Sequence, residues 1–211
     1  MNQRQACEAL VRTAVALADQ GFLAGVGGNL ALRIDAERFA VTPSASDYYA
    51  MGADDICVLR LDDLRQLAGA GKPSVESGLH ARVLQARPDC LASVHTHQPV
   101  ASAFTLLDRP LPVQDEEARR LIGGDVPMCA YAPSGTTWLA ANVGKRIRPG
   151  LNAYLMRNHG AVCLGATLED ACNVVRLLEQ AAIAWFHTAL AAQPQSRLHQ
   201  QALHFLQEDP R

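Results

Sequence analysis

Two histidines stand two residues apart in Ser93-Val94-His95-Thr96-His97-Gln98-Pro99, on an apolar run. Side chains on a strand alternate between faces, so His95 and His97 project from one face and can reach one metal ion. A third histidine, His159, follows the apolar run 151–156 in Asn158-His159-Gly160. Three imidazoles on adjoining strand ends would hold a zinc-type ion and leave its fourth position open, as catalytic sites require. Taken alone, a lone H-x-H is common without any metal, so spacing leaves both readings open.

Other short motifs precede and connect these histidines. In order they are Gly27-Gly28-Asn29-Leu30, Thr42-Pro43-Ser44-Ala45 and Lys72-Pro73-Ser74-Val75-Glu76, then H-T-H, then N-H-G. Their order and spacing resemble the class II aldolase/adducin family, most closely its L-fuculose-phosphate-aldolase-like enzymes. The resemblance covers roughly residues 5–190 and rests on several separated motifs coinciding.

The resemblance implies a divalent-metal-dependent lyase that cleaves a small ketose or ketose phosphate through an enediolate. His95, His97 and His159 match the family's metal ligands. Zinc is the expected ion, one per subunit, with Mn2+, Co2+ or Fe2+ as alternatives. Glu76 matches the family's acid/base carboxylate; without the motif it would read as a first-turn glutamate complementing a helix dipole. Gly28, Asn29, Ser44, Ala45, Ser74 and Val75 match positions that cradle a substrate phosphate, where backbone amides suit a dianion.

This chain departs from the family pattern in two of those positions and at the proton donor. The usual glycine after T-P-S is Ala45, and the usual second serine of P-S-S-E is Val75. A lost hydroxyl removes a hydrogen bond worth about 1.5–3 kcal/mol when it serves a charged group. Fuculose-type aldolases carry a tyrosine just after the proline matched here to Pro112, and another in a C-terminal tail. The matching stretch reads Val113-Gln114-Asp115-Glu116-Glu117, and no tyrosine follows Tyr154. Asp115 or Glu116 would serve as the general acid if buried, and otherwise marks an acidic helix start. A decarboxylase, epimerase or dehydratase on the same metal site therefore stays open beside aldol cleavage. So does a non-catalytic adducin-like assembly module, although such domains lose the ligands retained here. The resemblance also implies a homotetramer.

Composition narrows the partners. The 211 residues are 49% hydrophobic and 19% charged, with a formal net charge of −2. That balance gives no electrostatic case for nucleic acid or an anionic membrane. No run reaches the ~18 consecutive apolar residues of a membrane span. Glu8, Arg12 and Asp19 interrupt any signal-like apolar region near the N-terminus. Six cysteines lie scattered among apolar neighbours with no C-x-x-C pair, the pattern of reduced thiols in a cytoplasmic protein.

The elements needed to position these residues are legible in the periodicity. Leu10, Val11, Ala14, Leu17 and Ala18 recur at helical spacing and predict a first helix that stops near Gly21. Residues 30–34 and 39–42 predict a hairpin, and 56–61 a third strand. Ser74 is the expected N-cap of a helix to Ala86, with Glu76 inside its first turn. His80, one turn later, is expected either to hydrogen-bond Glu76 or to pack. Residues 91–97 form the histidine strand, followed by a helix from Pro99 through Leu106. Short strands are expected at 128–131, 153–157 and 161–164, with a helix from Thr136 and a long one from Thr167 to Ala191. Tyr48-Tyr49 and Trp138 read as packing residues, with Tyr48 close enough to the phosphate loop to line a pocket. His187, His199 and His204 read as surface or interface residues. The expected fold is one α/β domain over 1–211. It has three α/β/α layers around a largely antiparallel sheet and a helical tail over 195–211.

Overall fold

The computed structural model describes residues 2–192 except 24 and 26; the tail expected at 195–211, with His199 and His204, lies outside them. Helix α1 (Gln3–Asp19) opens with a capping box between Asn2 and Gln5 and buries Leu10, Ala14 and Leu17. Strands β1 (Asn29–Arg33) and β2 (Arg38–Val41) form the expected hairpin. Its turn is organised by the Asp35 carboxylate, which accepts from the amides of Glu37 and Arg38.

Strand β3 (Cys57–Arg60) follows, and then β4 (Gln66–Ala68), which the sequence reading missed. Three residues with only one strongly apolar side chain give too short an alternation to read as a strand. Helix α2 (Ser77–Ala86), β5 (Ala92–Thr96), α3 (Pro99–Phe104) and a 3-10 turn (Thr105–Leu107) come next. They are followed by α4 (Glu116–Ile122), β6 (Met128–Cys129), α5 (Thr137–Gly144), β7 (Ala153–Met156), β8 (Gly160–Gly165) and α6 (Leu168–Ala191). Thr136 caps α5, and Thr167 with Asp170 forms the capping box of α6, both as expected.

All eight strands join one sheet in the order β4-β3-β2-β1-β5-β8-β7-β6. Every pairing is antiparallel except β6 with β7. Leu30, Leu32, Val94 and Val162 belong to the core shared with α1 and α6. Ala31, Phe39, Leu59 and Leu61 pack with Ala81 and Leu84 of α2 on the opposite face. Period-two alternation thus sorts the strand residues between two helical layers. Because Ser93 and His95 alternate with Val94, they point toward the α2 layer. Among the described residues no helix is long and apolar enough to cross a membrane.

Candidate metal centre and its carboxylate

His95 sits inside β5, fully buried, directly across from Asn29 on β1 and Val162 on β8. His97 lies just past the strand end, where its amide donates to Phe22 O at 3.0 Å. His159 is the last residue of the turn joining β7 to β8, whose closing pair is Met156 and Gly160. Asn158 takes the left-handed conformation there (φ 53°), which asparagine tolerates better than most residues. The three rings meet with centroids 4.7, 4.8 and 5.2 Å apart. Their closest nitrogens lie within 4.8 Å of one another.

The donor set fits a divalent ion. His95 Nδ1 lies 2.8 Å from Ala161 O, and a carbonyl can only accept, so Nδ1 carries the hydrogen. His95 Nε2 therefore turns a bare lone pair toward the cluster, 3.0 Å from His97 Nε2. Burial pushes His95 and His97 below the ordinary histidine value, so both rings are neutral at pH 7, the state that could ligate a metal. Such a backbone bond to the far nitrogen is what orients metal-binding imidazoles.

Glu76 completes the cluster, with Oε2 3.2 Å from His95 Nε2 and Oε1 3.4 Å from His159 Nε2. It stands immediately before α2 as its N-cap residue, so the expected cap at Ser74 and the placement of Glu76 inside the first turn are corrected. Ser74 instead shapes the approach: its Oγ accepts from the Glu76 amide, and its carbonyl accepts from the Ser77 amide. Asn29 Nδ2 donates to Glu76 Oε2 at 2.8 Å and Ser134 Oγ to Oε1 at 2.9 Å. Burial alone would raise this carboxyl, but the His95 and His159 rings and the two hydrogen bonds outweigh it and hold it low. A neutral His95 supplies no full charge, so the ionised state rests chiefly on the two donors.

The loops matched to a phosphate cradle lie beside this cluster. Pro43 bridges to Pro73, drawing T-P-S-A against P-S-V-E. Gly28 has φ 89°, and a β-carbon there would fall 2.5 Å from Leu23 Cδ2 and 2.9 Å from His95 O. Tyr48 Oη donates to Gly28 O at 2.7 Å, so this tyrosine braces the G-G turn; burial pushes its pKa up to about 12. The Ser44 backbone amide is committed to Lys72 O, and the Asn29 side chain to Glu76 through Nδ2 and to His80 through Oδ1. Ala45 is exposed with φ 52°, and Val75 is 58% exposed.

Asp115 and Glu116 are not drawn into the cluster. Both are exposed, and the Asp115 carboxylate caps α4 by accepting from the Ala118 amide at 2.7 Å. The His80 amide donates to Glu76 O at 3.2 Å in the first turn of α2, but its ring does not reach the Glu76 carboxylate; its Nε2 contacts Asn29 Oδ1 instead. Ser134 was missed, since no sequence rule ties a loop serine to a carboxylate 58 residues earlier. Its only signal was the turn cluster Pro133-Ser134-Gly135 before α5. A groove of about 340 Å³ borders Val75, Glu76 and Gly135 but none of the histidines, so the chemistry is located by side chains and not by cavity size.

Residues 8–186 match the Class II Aldolase and Adducin N-terminal domain family. An L-fuculose phosphate aldolase from Methanococcus maripaludis is 30% identical over 79% of the chain and 88% of the relative. A 3-oxo-tetronate 4-phosphate decarboxylase from Haemophilus influenzae is 30% identical over 85% of the chain and 86% of the relative. A solved L-fuculose 1-phosphate aldolase superposes with a TM-score of 0.84 at 29% identity, covering 90% of this chain and 89% of that one.

Proposed function

Since the chain belongs to the class II aldolase and adducin family, we propose that it breaks the bond between the α- and β-carbons of a small ketose or ketose phosphate, by aldol cleavage. The relatives are lyases, and the chain is an enzyme of that class. One observation carries the reading: Glu76 stands within 3.4 Å of two histidine nitrogens, ionised and held by Asn29 and Ser134.

His95, His97 and His159 would hold one divalent ion per subunit, zinc first, with Mn2+, Co2+ or Fe2+ as alternatives. A bound ion would act as Lewis acid on the substrate carbonyl. Glu76 takes and returns the proton at the carbon next to that carbonyl, a role worth roughly 10²–10⁴-fold in rate. Its buried setting excludes water that would otherwise screen the carboxylate. Gly28, Ala45, Ser74 and Val75 would line the phosphate side chiefly through backbone groups, and Ser44 through its hydroxyl, since its amide is committed to Lys72 O. Asn29 contributes its backbone there, because its side chain is committed to Glu76.

Decarboxylation of a small keto sugar acid is the second reading, favoured by the exposure of Asp115 and Glu116. Loss of carbon dioxide needs one proton delivered to carbon, and Glu76 would suffice as its relay by first taking that proton from solvent. Aldol cleavage must also remove a hydroxyl proton, which in this chain would leave to solvent.

We place the enzyme in the cytoplasm, where the six buried free thiols would stay reduced. We read it as a homotetramer, with exposed Tyr131, Trp138 and Leu106 offering apolar contact surface. The test is to load the protein with Zn2+, Mn2+ or Co2+ and supply L-fuculose 1-phosphate, other ketose phosphates and phosphorylated keto acids. Aldehyde release supports aldol cleavage, carbon dioxide release supports the second reading, and neither product from any substrate overturns both.

A further inference from the structure

Behind Glu76 lies a closed circuit of buried polar side chains that the chemistry above does not use. Asn29 is 7% exposed, and His80 and Ser93 are fully buried. His80 comes from α2, one helical turn after Glu76. On the sheet beneath it, Asn29 pairs with His95 and Ala31 pairs with Ser93. Asn29 and Ser93 are thus diagonal neighbours on one face of the β1–β5 ladder. His80 spans that diagonal, with Nε2 2.6 Å from Asn29 Oδ1 and Nδ1 2.8 Å from Ser93 Oγ.

Donor and acceptor chemistry fixes every direction in the circuit. A carboxylate accepts only, so Asn29 must turn Nδ2 toward Glu76 and Oδ1 toward His80. Oδ1 in turn accepts only, so His80 Nε2 must carry the ring hydrogen. His80 Nδ1 is then a bare acceptor, and the Ser93 hydroxyl donates to it. A flipped Asn29 would set its oxygen against the carboxylate and its NH₂ against an N–H, breaking two bonds at once.

We propose that His80 is a positioning residue. Clamped by Ser93 from the histidine strand, it locks the Asn29 amide in the orientation that donates to Glu76, and so sets where the carboxylate stands against His95 and His159. The circuit closes covalently through the first turn of α2, so the carboxylate is located both from the helix that carries it and from the strand that carries His95. A buried histidine that merely filled space would need no particular tautomer. This inference rests on the reading of Glu76 as the acid–base group.

Two readouts independent of turnover test it on the full chain. In ¹⁵N-histidine-labelled protein, His80 should show a single Nε2–H tautomer by nitrogen shifts and two-bond couplings. Ser93→Ala, which removes one hydroxyl, should keep that tautomer, because Asn29 Oδ1 still demands the Nε2 hydrogen, and should shift the Nδ1 resonance as its hydrogen bond is lost. In Co2+-loaded protein, the visible spectrum reports whether a carboxylate stands at the metal. His80→Leu should move that spectrum toward the one given by Glu76→Gln. His80→Gln, which can still donate to Asn29 Oδ1, should keep the wild-type spectrum. An Nδ1–H tautomer at His80, or a cobalt spectrum unchanged in His80→Leu, would overturn the proposal. Should His80→Leu fail to fold, Ser93→Ala decides through the same cobalt spectrum: movement toward the Glu76→Gln spectrum supports the clamp, and an unchanged spectrum counts against it. Neither readout requires Glu76 to be the base, so the positioning of its carboxylate is decided even where the acid–base reading fails.

Discussion

Gly160 lies against the edge of the His97 ring, so close that a β-carbon on it would fall 2.7 Å from His97 Cδ2 and 2.4 Å from Thr96 O. The approach follows from the topology. β8 pairs with β5 from Ala161 to Gly165, and Gly160 begins β8 where His97 leaves β5. Gly160→Ala must therefore push the His159 turn away from the histidine strand. We expect a loss of about 1–3 kcal/mol in stability, typical of overpacking, together with a fall in bound divalent metal. Elemental analysis and thermal melts check this, and full metal content with an unchanged melting temperature would refute the close-approach argument.

Metal content tests the ligands directly. His97 extends the site beyond the end of β5 and is half-buried, so its removal should leave the β-sheet intact. Two remaining histidines hold zinc poorly. His97→Ala should lose most of the bound ion while keeping the wild-type circular dichroism spectrum. Undiminished metal in that variant would remove His97 from the ligand set.

For Glu76 the informative change is to glutamine, which preserves shape and can still accept from Asn29 or Ser134 at its one oxygen. Turnover should fall by roughly 10²–10⁴-fold while metal stays bound. If turnover holds near the wild-type value, Glu76 serves only to organise the start of α2.

Much of this arrangement was legible before any coordinates. The three histidines and Glu76 are named by their motifs, and strand alternation already sets His95 and His97 on one face. Periodicity placed α1, and capping rules placed α5 and α6 because Thr136 and Thr167 cap locally. What stayed hidden depends on partners distant in sequence. Ser74 has the residue type of an N-cap, but its side chain serves the Glu76 amide, so the helix starts later. The Asn29–His80–Ser93 circuit exists only because two strands and a helix meet, and no local pattern encodes that meeting. Asp115 looked like chemistry or a cap with equal reason, and only its contact with the Ala118 amide distinguishes the two in this chain.

Ala45 offers a test of backbone strain. Its φ of 52° lies in the left-handed region, which costs an L-residue about 1–2 kcal/mol. Glycine adopts that conformation freely but loses more entropy on folding, so the two effects partly cancel. Ala45→Gly should be neutral to stabilising by about 1 kcal/mol in chemical denaturation. It should also bind inorganic phosphate at least as well as the parent, since the narrowing β-carbon is gone. Marked destabilisation would mean that the Ala45 methyl makes contacts that matter more than its backbone strain.

The acidic start of α4 separates chemistry from helix formation. Asparagine caps helices about as well as aspartate, so Asp115→Asn should keep the fold. Glu116 is exposed, and Glu116→Gln removes only a first-turn charge near the helix dipole, worth about 0.3–1 kcal/mol. Neither change should alter metal content or turnover. The pH–rate profile should also keep its shape, upper limb included, because both side chains are exposed and stand outside the histidine cluster. Loss of that limb in either variant would return the stretch to the reaction as its general acid. It would also strengthen aldol cleavage over decarboxylation, since only the former needs a second proton-transfer group. Unchanged profiles in both variants, combined with carbon dioxide as the product, would identify Glu76 as the single acid–base group of a decarboxylase.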